Sequence, residues 1–396
     1  MAPRTARQRG RTSRSRRTHE DLVLGLLRSH GPLTRGDLGN LCGLSRTTLY
    51  DVVGSLRDSG AVIASVPKAE GRKRGRPAER LSLNAGAADL IGIDFARQAV
   101  RVAALTTAHG SISSTREPHG PEASWEERVD VARRLTRTLT GGDLRLDALN
   151  GIGVGVTAPV GPPEDDSPGA HRRSAVSALV SERFGMRACL DSNTRLATLA
   201  ERTWGAAVDE QDVLYLCLSH SVGGGLMVGG ALHRGAHGMS GQFGHITVDP
   251  DGAPCVCGRV GCLETVASIG AVLDAHGSAT DVPQLVAALD AGDRAARSVL
   301  ARAGAHVGKV LADLSNAFGP GVIVLGGELA DTGPALMDPL RRELDANMTC
   351  RGSRTPPRVR TAALGDVGAA LGAVALLLHQ QPAGVLGPVP LSPVAP

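Results

Sequence analysis

The spacing of apolar residues changes period along the chain, and each change marks a unit. From His19 the period is helical: Leu22, Val23, Leu26 and Leu27 share one face, and Gly31-Pro32 ends the run. Thr34 is placed to cap a second, short helix whose apolar face is Leu38, Leu41 and Cys42, closed by Gly43. Ser45 is placed to cap a third, in which Leu49, Val52, Val53 and Leu56 point inward as far as Gly60. Three helices with a four-residue gap between the second and third predict a helix-turn-helix. A short apolar strand over 61–66, a basic turn and a return strand over 81–83 then predict a hairpin beside it.

Past a short linker at 85–88 the pattern alternates as in strands, LIGIDFARQAVRVAALTTAHGSISS, and opens an α/β domain. A helix over 125–139 and a strand from 151 follow, then a polar, proline-rich stretch over 162–174 that reads as a loop. Further on come a strand over 213–218, a long helix over 293–318, a buried strand near 321–326 and a closing helix over 365–378. The longest non-polar stretch, 368–378, is far short of the roughly 20 residues a membrane helix needs, so no membrane partner is expected.

Charge divides the chain the same way. The net charge is +4, but residues 1–80 hold 17 Lys and Arg against 7 Asp and Glu, whereas the remainder is net −6. A basic N-terminal segment on an acidic body points to a polyanion held at one end. Residues 1–18 carry seven arginines and no acid, which reads as a disordered basic arm, and 381–396, with five prolines, as a disordered tail. A 100° step per residue puts Thr47 and Asp51 opposite the core stripe of the third helix, flanked by Arg46, Thr48 and Tyr50. With Ser45 these side chains suit a major groove. Arg72, Lys73, Arg74 and Arg76 cluster in the hairpin turn, and Arg74-Gly75-Arg76-Pro77 suits an A·T-rich minor groove. The unit over 19–84 is therefore expected to be a winged helix-turn-helix on double-stranded DNA; a protein-binding helical hairpin is the alternative.

His245, Cys255, Cys257 and Cys262 put one imidazole and three thiols within eighteen residues, the donor set of a closed tetrahedral zinc site. Three buried thiols or a disulfide are the alternatives. The polar neighbours Asp249, Asp251 and Arg259 argue against the first, and an Arg-rich opening that points to the cytoplasm argues against the second. Four protein ligands leave no open position, so one zinc per chain is expected to be structural.

Gly-Gln-Phe-Gly-His at 241–245 and Cys-Val-Cys-Gly-Arg-Val-Gly-Cys-Leu-Glu at 255–264 resemble the signature of the ROK family of sugar kinases and sugar-responsive repressors. The resemblance implies an actin-like (sugar kinase/ribonuclease H-like), two-lobed effector domain over 85–380, with a zinc loop at 245–262 beside a sugar cleft. It assigns the sugar contacts to Ser192, Asn193, Gln242, His245 and Glu264. Three family elements are altered. Asp-x-Gly-Gly-Thr reads Asp94-Phe95-Ala96-Arg97-Gln98, the Glu-Asn-Asp-x-Asn segment puts Asn193 at the position of the general base, and Gly-Thr-Gly-x-Gly reads Ser219-His220-Ser221-Val222-Gly223. An amide cannot take a proton at neutral pH. The expectation is a regulator, most simply a repressor of carbohydrate-related genes, acting as a homodimer or tetramer with a carbohydrate effector and no catalysis. An active kinase and a ligand-independent DNA binder are the alternatives.

Overall fold

The computed structural model describes residues 19–20, 22–27, 30, 32–58, 62–65, 79–83, 90–106, 111–120, 122–140, 151–157, 168–349 and 356–380. The expected basic arm, the 85–88 linker, the hairpin-turn cations Arg72, Lys73, Arg74 and Arg76, and the proline-rich tail lie outside them.

The N-terminal elements come in the expected order. Helix α1 is described at 22–27, and β1 (Leu33–Thr34) leads into α2 (Arg35–Cys42) and α3 (Arg46–Asp58). The Thr34 hydroxyl accepts from the Asp37 N–H while the Asp37 carboxylate accepts from the Thr34 N–H, a reciprocal capping box. Gly43, left-handed at φ 65°, closes α2, so the turn to α3 is three residues rather than four. Strands β2 (Val62–Ser65) and β3 (Arg80–Leu83) pair antiparallel, and β1 joins them in a sheet of order β1-β3-β2. Val23, Leu27, Leu38, Leu49, Val52, Val53, Leu56, Val62 and Leu81 form one core under all of these elements.

The remainder holds two five-stranded sheets with the same plan. In the first, β4 (Leu90–Phe95), β5 (Ala99–Thr106) and β6 (Ser111–Pro118) form an antiparallel meander, and β7 (Gly151–Val156) and β8 (Ala188–Ser192) continue it in parallel on the other side of β4. The order is β6-β5-β4-β7-β8. In the second, β9 (Val213–Leu218), β10 (Val222–Val228) and β11 (Ala231–His233) form the meander and β12 (Val322–Gly326) and β13 (Arg358–Thr361) the parallel edge, in the order β11-β10-β9-β12-β13. Two lobes built on one repeated sheet plan make the actin-like arrangement. The parallel strands β4, β7 and β12 are buried along nearly their whole length, as strands covered on both faces must be.

Helices α4 (Trp125–Leu139) and α5 (Pro168–Phe184) cover the first sheet. Helix α5 takes in residues expected in a loop, because Pro168 stands at the first helical position, where proline's missing N–H costs nothing. The second sheet packs on α7 (Glu264–Ala267), α8 (Ile269–His276), α9 (Val282–Asp290), α10 (Arg294–Phe318) and α11 (Pro334–Asn347). Two helices cross between the lobes: α6 (Asn193–Trp204) leaves the end of β8 toward β9, and α12 (Gly368–Gln380) returns from β13 onto β4 and β7. The crossing is backbone on backbone. A Cβ at Gly372 would lie 1.8 Å from the Leu196 carbonyl oxygen, and Cβ atoms at Gly92 and Gly153 would lie 2.0 and 2.2 Å from carbonyls of α12.

Because no flexible side chain stands in the way to yield, Gly372→Ala must push α12 off α6. We expect it to lower stability by at least about 2 kcal/mol in chemical denaturation, and an unchanged midpoint would show that the crossing is looser than these distances require.

Candidate metal centre and interlobe cleft

The segment 241–264 is irregular, and its shape follows from close backbone contacts. A Cβ at Gly241 (φ 95°) would lie 2.2 Å from the Gly224 carbonyl oxygen, and one at Gly244 would lie 2.1 Å from that of Val222. Both glycines of the 241–245 signature are thus required by the approach of β10. Beyond them the chain folds back on itself: Val248 N–H donates to the Gly261 carbonyl at 2.8 Å, Cys255 N–H to Arg259 at 2.7 Å and Leu263 N–H to Ile246 at 2.8 Å. The Arg259 guanidinium straps the fold through the His245 carbonyl and the Thr247 hydroxyl.

This folding brings the four expected ligands together. The donor atoms of His245, Cys255, Cys257 and Cys262 all lie within 4.8 Å of one another. Cys257 Sγ and Cys262 Sγ are 3.6 Å apart, and Cys255 Sγ is 3.5 Å from His245 Nδ1. A disulfide would need about 2.05 Å, whereas tetrahedral zinc with metal–sulfur bonds near 2.3 Å sets its donors roughly 3.5–3.8 Å apart. The cluster could therefore hold a metal ion, and the Cys257–Cys262 and Cys255–His245 separations match those around tetrahedral zinc. Burial, with the facing Cys257 and Cys255 thiols, pushes the Cys262 thiol up to about 12, while the Arg259 backbone N–H holds the Cys257 thiol below its ordinary value. A cation among the sulfurs would reverse the first of these.

The residues assigned to a sugar lie around the first half of β10. Glu264 Oε2 accepts the Val222 N–H at 2.9 Å, Thr194 Oγ1 donates to the Gly224 carbonyl at 3.1 Å, and Gly224 N–H donates to Gly241 at 2.8 Å. Ser192, buried, shares a hydrogen bond with Thr194, and the Asn193 amide donates to Thr157 Oγ1 at 3.1 Å across the head of β7. Gln242 directly precedes the short 3-10 turn at Phe243–His245. The two altered phosphate elements fall at corresponding turns of the two sheets, 96–98 between β4 and β5 and 219–221 between β9 and β10. Arg97 is exposed at the first.

Two charged groupings here were not foreseen. Arg195 is 1% exposed and Asp191 2%. Arg195 Nε donates to Asp191 Oδ1 at 2.7 Å, and Arg195 Nη1 donates to the carbonyls of Gly238 and Ser240 at 2.8 and 3.0 Å. Arg234 Nε donates to Asp191 Oδ2 at 2.8 Å. The start of α6 is thereby bolted to the loop that enters Gly241. The i, i+4 spacing of Asp191 and Arg195 was the available signal. Deeper in the first lobe Asp94, 1% exposed, accepts from Arg101 at 3.0 Å through Oδ2, while Oδ1 has no hydrogen-bond partner. Arg101 and Arg116 both reach Asp366, just ahead of α12.

Burial raises the Asp94 carboxyl to about 6, outweighing the attraction of Arg101. The folded state holds this proton more tightly than the unfolded chain, whose value is near 3.8. Stability from this group is therefore greatest in acid and is lost as pH rises from about 4 through about 6. Relative to wild type, Asp94→Asn should gain up to about 3 kcal/mol over that interval, read from denaturation midpoints at successive pH values. A constant difference would mean the carboxyl is ionised throughout.

Comparison with known proteins agrees with this architecture. Residues 90–380 match the model of the ROK family. The chain is 29% identical over 319 residues to a glucokinase of Halalkalibacterium halodurans, covering 74% of this chain and 95% of that protein. It is 25% identical over 374 residues to the DNA-binding transcriptional repressor Mlc of Escherichia coli (85% and 88%) and 24% identical to a xylose repressor of Bacillus spizizenii (84% and 88%). Among solved structures, a ROK family glucokinase from Streptomyces griseus in complex with glucose and AMPPNP superposes with a TM-score of 0.62 at 25% identity, covering 72% of this chain and 98% of that one. A ROK family transcriptional regulator gives 0.62 at 21% identity over 92% of this chain and 96% of that one, a likeness of fold. With the signature residues at 241–264 and the paired sheets in place, the chain belongs to the ROK family.

Proposed function

We propose that this chain is a DNA-binding transcriptional regulator, most simply a repressor, whose ROK domain senses a carbohydrate and transfers no phosphate. The observation that carries this reading is Asn193. It stands where the family resemblance puts the proton acceptor, and its amide donates to Thr157, so it can hold a sugar hydroxyl but cannot deprotonate it. The one raised carboxyl nearby, Asp94, is buried under Arg101 and offers no substitute.

Residues 19–84 form the DNA-reading head in this proposal, a winged helix-turn-helix, and 85–380 the effector domain. Alignments to the two repressors cover 84–85% of the chain, more than residues 90–396 could supply, so they run into the N-terminal unit. Ser45, Arg46, Thr47 and Tyr50 are exposed on or beside α3, and Thr48 is half-buried with its N–H capped by Ser45. Arg72, Lys73, Arg74 and Arg76 would add phosphate and minor-groove contacts. Ser192, Asn193, Gln242, His245 and Glu264 would line the sugar site. Two heads joined through a homodimer, or in a tetramer, would read a pseudo-palindromic operator. A sugar that prefers one arrangement of the lobes would change the spacing between them.

His245, Cys255, Cys257 and Cys262 would hold one zinc per chain. With four protein ligands the metal would fix the shape of the loop that carries Gln242, His245 and Glu264, with no part in bond making. An active sugar kinase is the second reading, favoured by the glucokinase relative that matches over 95% of its length.

Fluorescence anisotropy on duplexes from the protein's own promoter region tests the proposal. We expect specific binding that weakens when Arg46 and Arg76 are both changed to Ala and shifts roughly 5- to 150-fold with one member of a sugar panel; failure to bind any duplex more tightly than random DNA would reject it. For the metal, we expect about one zinc per chain by elemental analysis and a loss of several kcal/mol of effector-domain stability in Cys257→Ser. Full stability with no bound metal would reject the zinc assignment.

A further inference from the structure

The outward face of α3 carries two residues that the helix itself does not explain. The stripe opposite its core runs through Thr47, Asp51, Gly54 and Asp58. Two of the nearby cations are already engaged: Arg35 and Arg57 both pair with Glu79, and Arg35 also lies 5.1 Å over the Tyr50 ring. Asp51, in contrast, is exposed and makes no hydrogen bond or ion pair among the described residues. A carboxylate on a face that approaches phosphates is repelled by them, so general DNA affinity cannot account for it. Gly54 lies three residues further along the same stripe, inside a thirteen-residue helix where glycine is unfavourable relative to alanine. Its φ is not positive, and a Cβ there would meet nothing within 4 Å. No neighbour in the described chain demands a glycine at this position.

Both features are accounted for by one partner. An ionised carboxylate only accepts hydrogen bonds, and the major-groove edge whose standard acidic partner is Asp or Glu is that of cytosine, through its N4 amino group. Aspartate has a single methylene, so it reaches a base edge only if the helix backbone lies deep in the groove. A bare Cα one turn along removes the atom that would hold the helix away. Resting on the regulator reading above, we propose that α3 reads a cytosine of the operator through Asp51, with Gly54 providing the close approach that so short a side chain needs.

The test is selection of binding sites from a randomised duplex library by the full chain, followed by affinities on the enriched site and on an unrelated duplex. Wild type is expected to enrich cytosine at one position of each half-site. Asp51→Ala should lose that preference there alone, bind the enriched site roughly tenfold more weakly, and bind the unrelated duplex as well as or better than wild type, because one repulsive charge is gone. Asp51→Asn should move the preference at that position from cytosine toward adenine, whose N6 and N7 suit an amide. Gly54→Ala should weaken binding to the enriched site while its melting temperature holds or rises. Gly270→Ala, at an equally open helical position of the effector domain, should leave DNA binding unchanged. Unaltered base preferences in Asp51→Ala, or wild-type affinity in Gly54→Ala, would overturn the proposal. A wild-type chain that enriches no sequence would overturn the regulator reading too, which separates the two failures.

Discussion

The buried ion pair between Asp191 and Arg195 holds both walls of the cleft in one geometry. Asp191 is the penultimate residue of β8, Arg195 sits in the first turn of α6, and the guanidinium continues to the carbonyls of Gly238 and Ser240. The stretch bearing Asn193 and the stretch leading to Gln242 and His245 are therefore positioned by one side chain. Such a group is costly to bury and costly to disturb: loss of one partner of a buried pair typically removes about 3–5 kcal/mol, because the other charge is left without compensation. Arg234 pairs with the second carboxylate oxygen from the half-exposed side.

The His245, Cys255, Cys257 and Cys262 cluster and the lobe crossing fix local shape by different physics. At the cluster, irregular backbone with little core of its own is folded so that four donor atoms meet, and the loop returns Glu264 to the backbone of β10. At the crossing, α12 lies against α6, β4 and β7 at distances only glycine allows, so the lobes meet through rigid backbone. Any movement between them would have to leave this close backbone crossing intact.

Much of this was legible in the chain. The cap at Thr34, the stripe Leu49, Val52, Val53 and Leu56, and the helix over 125–139 follow local rules that tertiary packing leaves in place. The grouping of His245, Cys255, Cys257 and Cys262, which could hold a metal ion, was legible because their residue types are rare and their spacing is tight. Other features were hidden. Pro168 made the start of α5 look like loop, and Pro339 interrupts the pattern of α11, which was not anticipated. The burial of the charged groups was hidden most thoroughly: the sequence shows Asp94 in an altered phosphate element and Asp191 four residues before Arg195, but their burial arises only when distant segments pack around them.

The central claim is that this cleft kept the shape of a sugar kinase and lost the means to use a nucleotide. Calorimetric titration of the zinc-loaded full chain with a non-hydrolysable ATP analogue and magnesium, with and without glucose, tests it most directly. The account predicts no saturable heat of nucleotide binding under either condition; a one-to-one isotherm in the micromolar range, strengthened by the sugar, would contradict it.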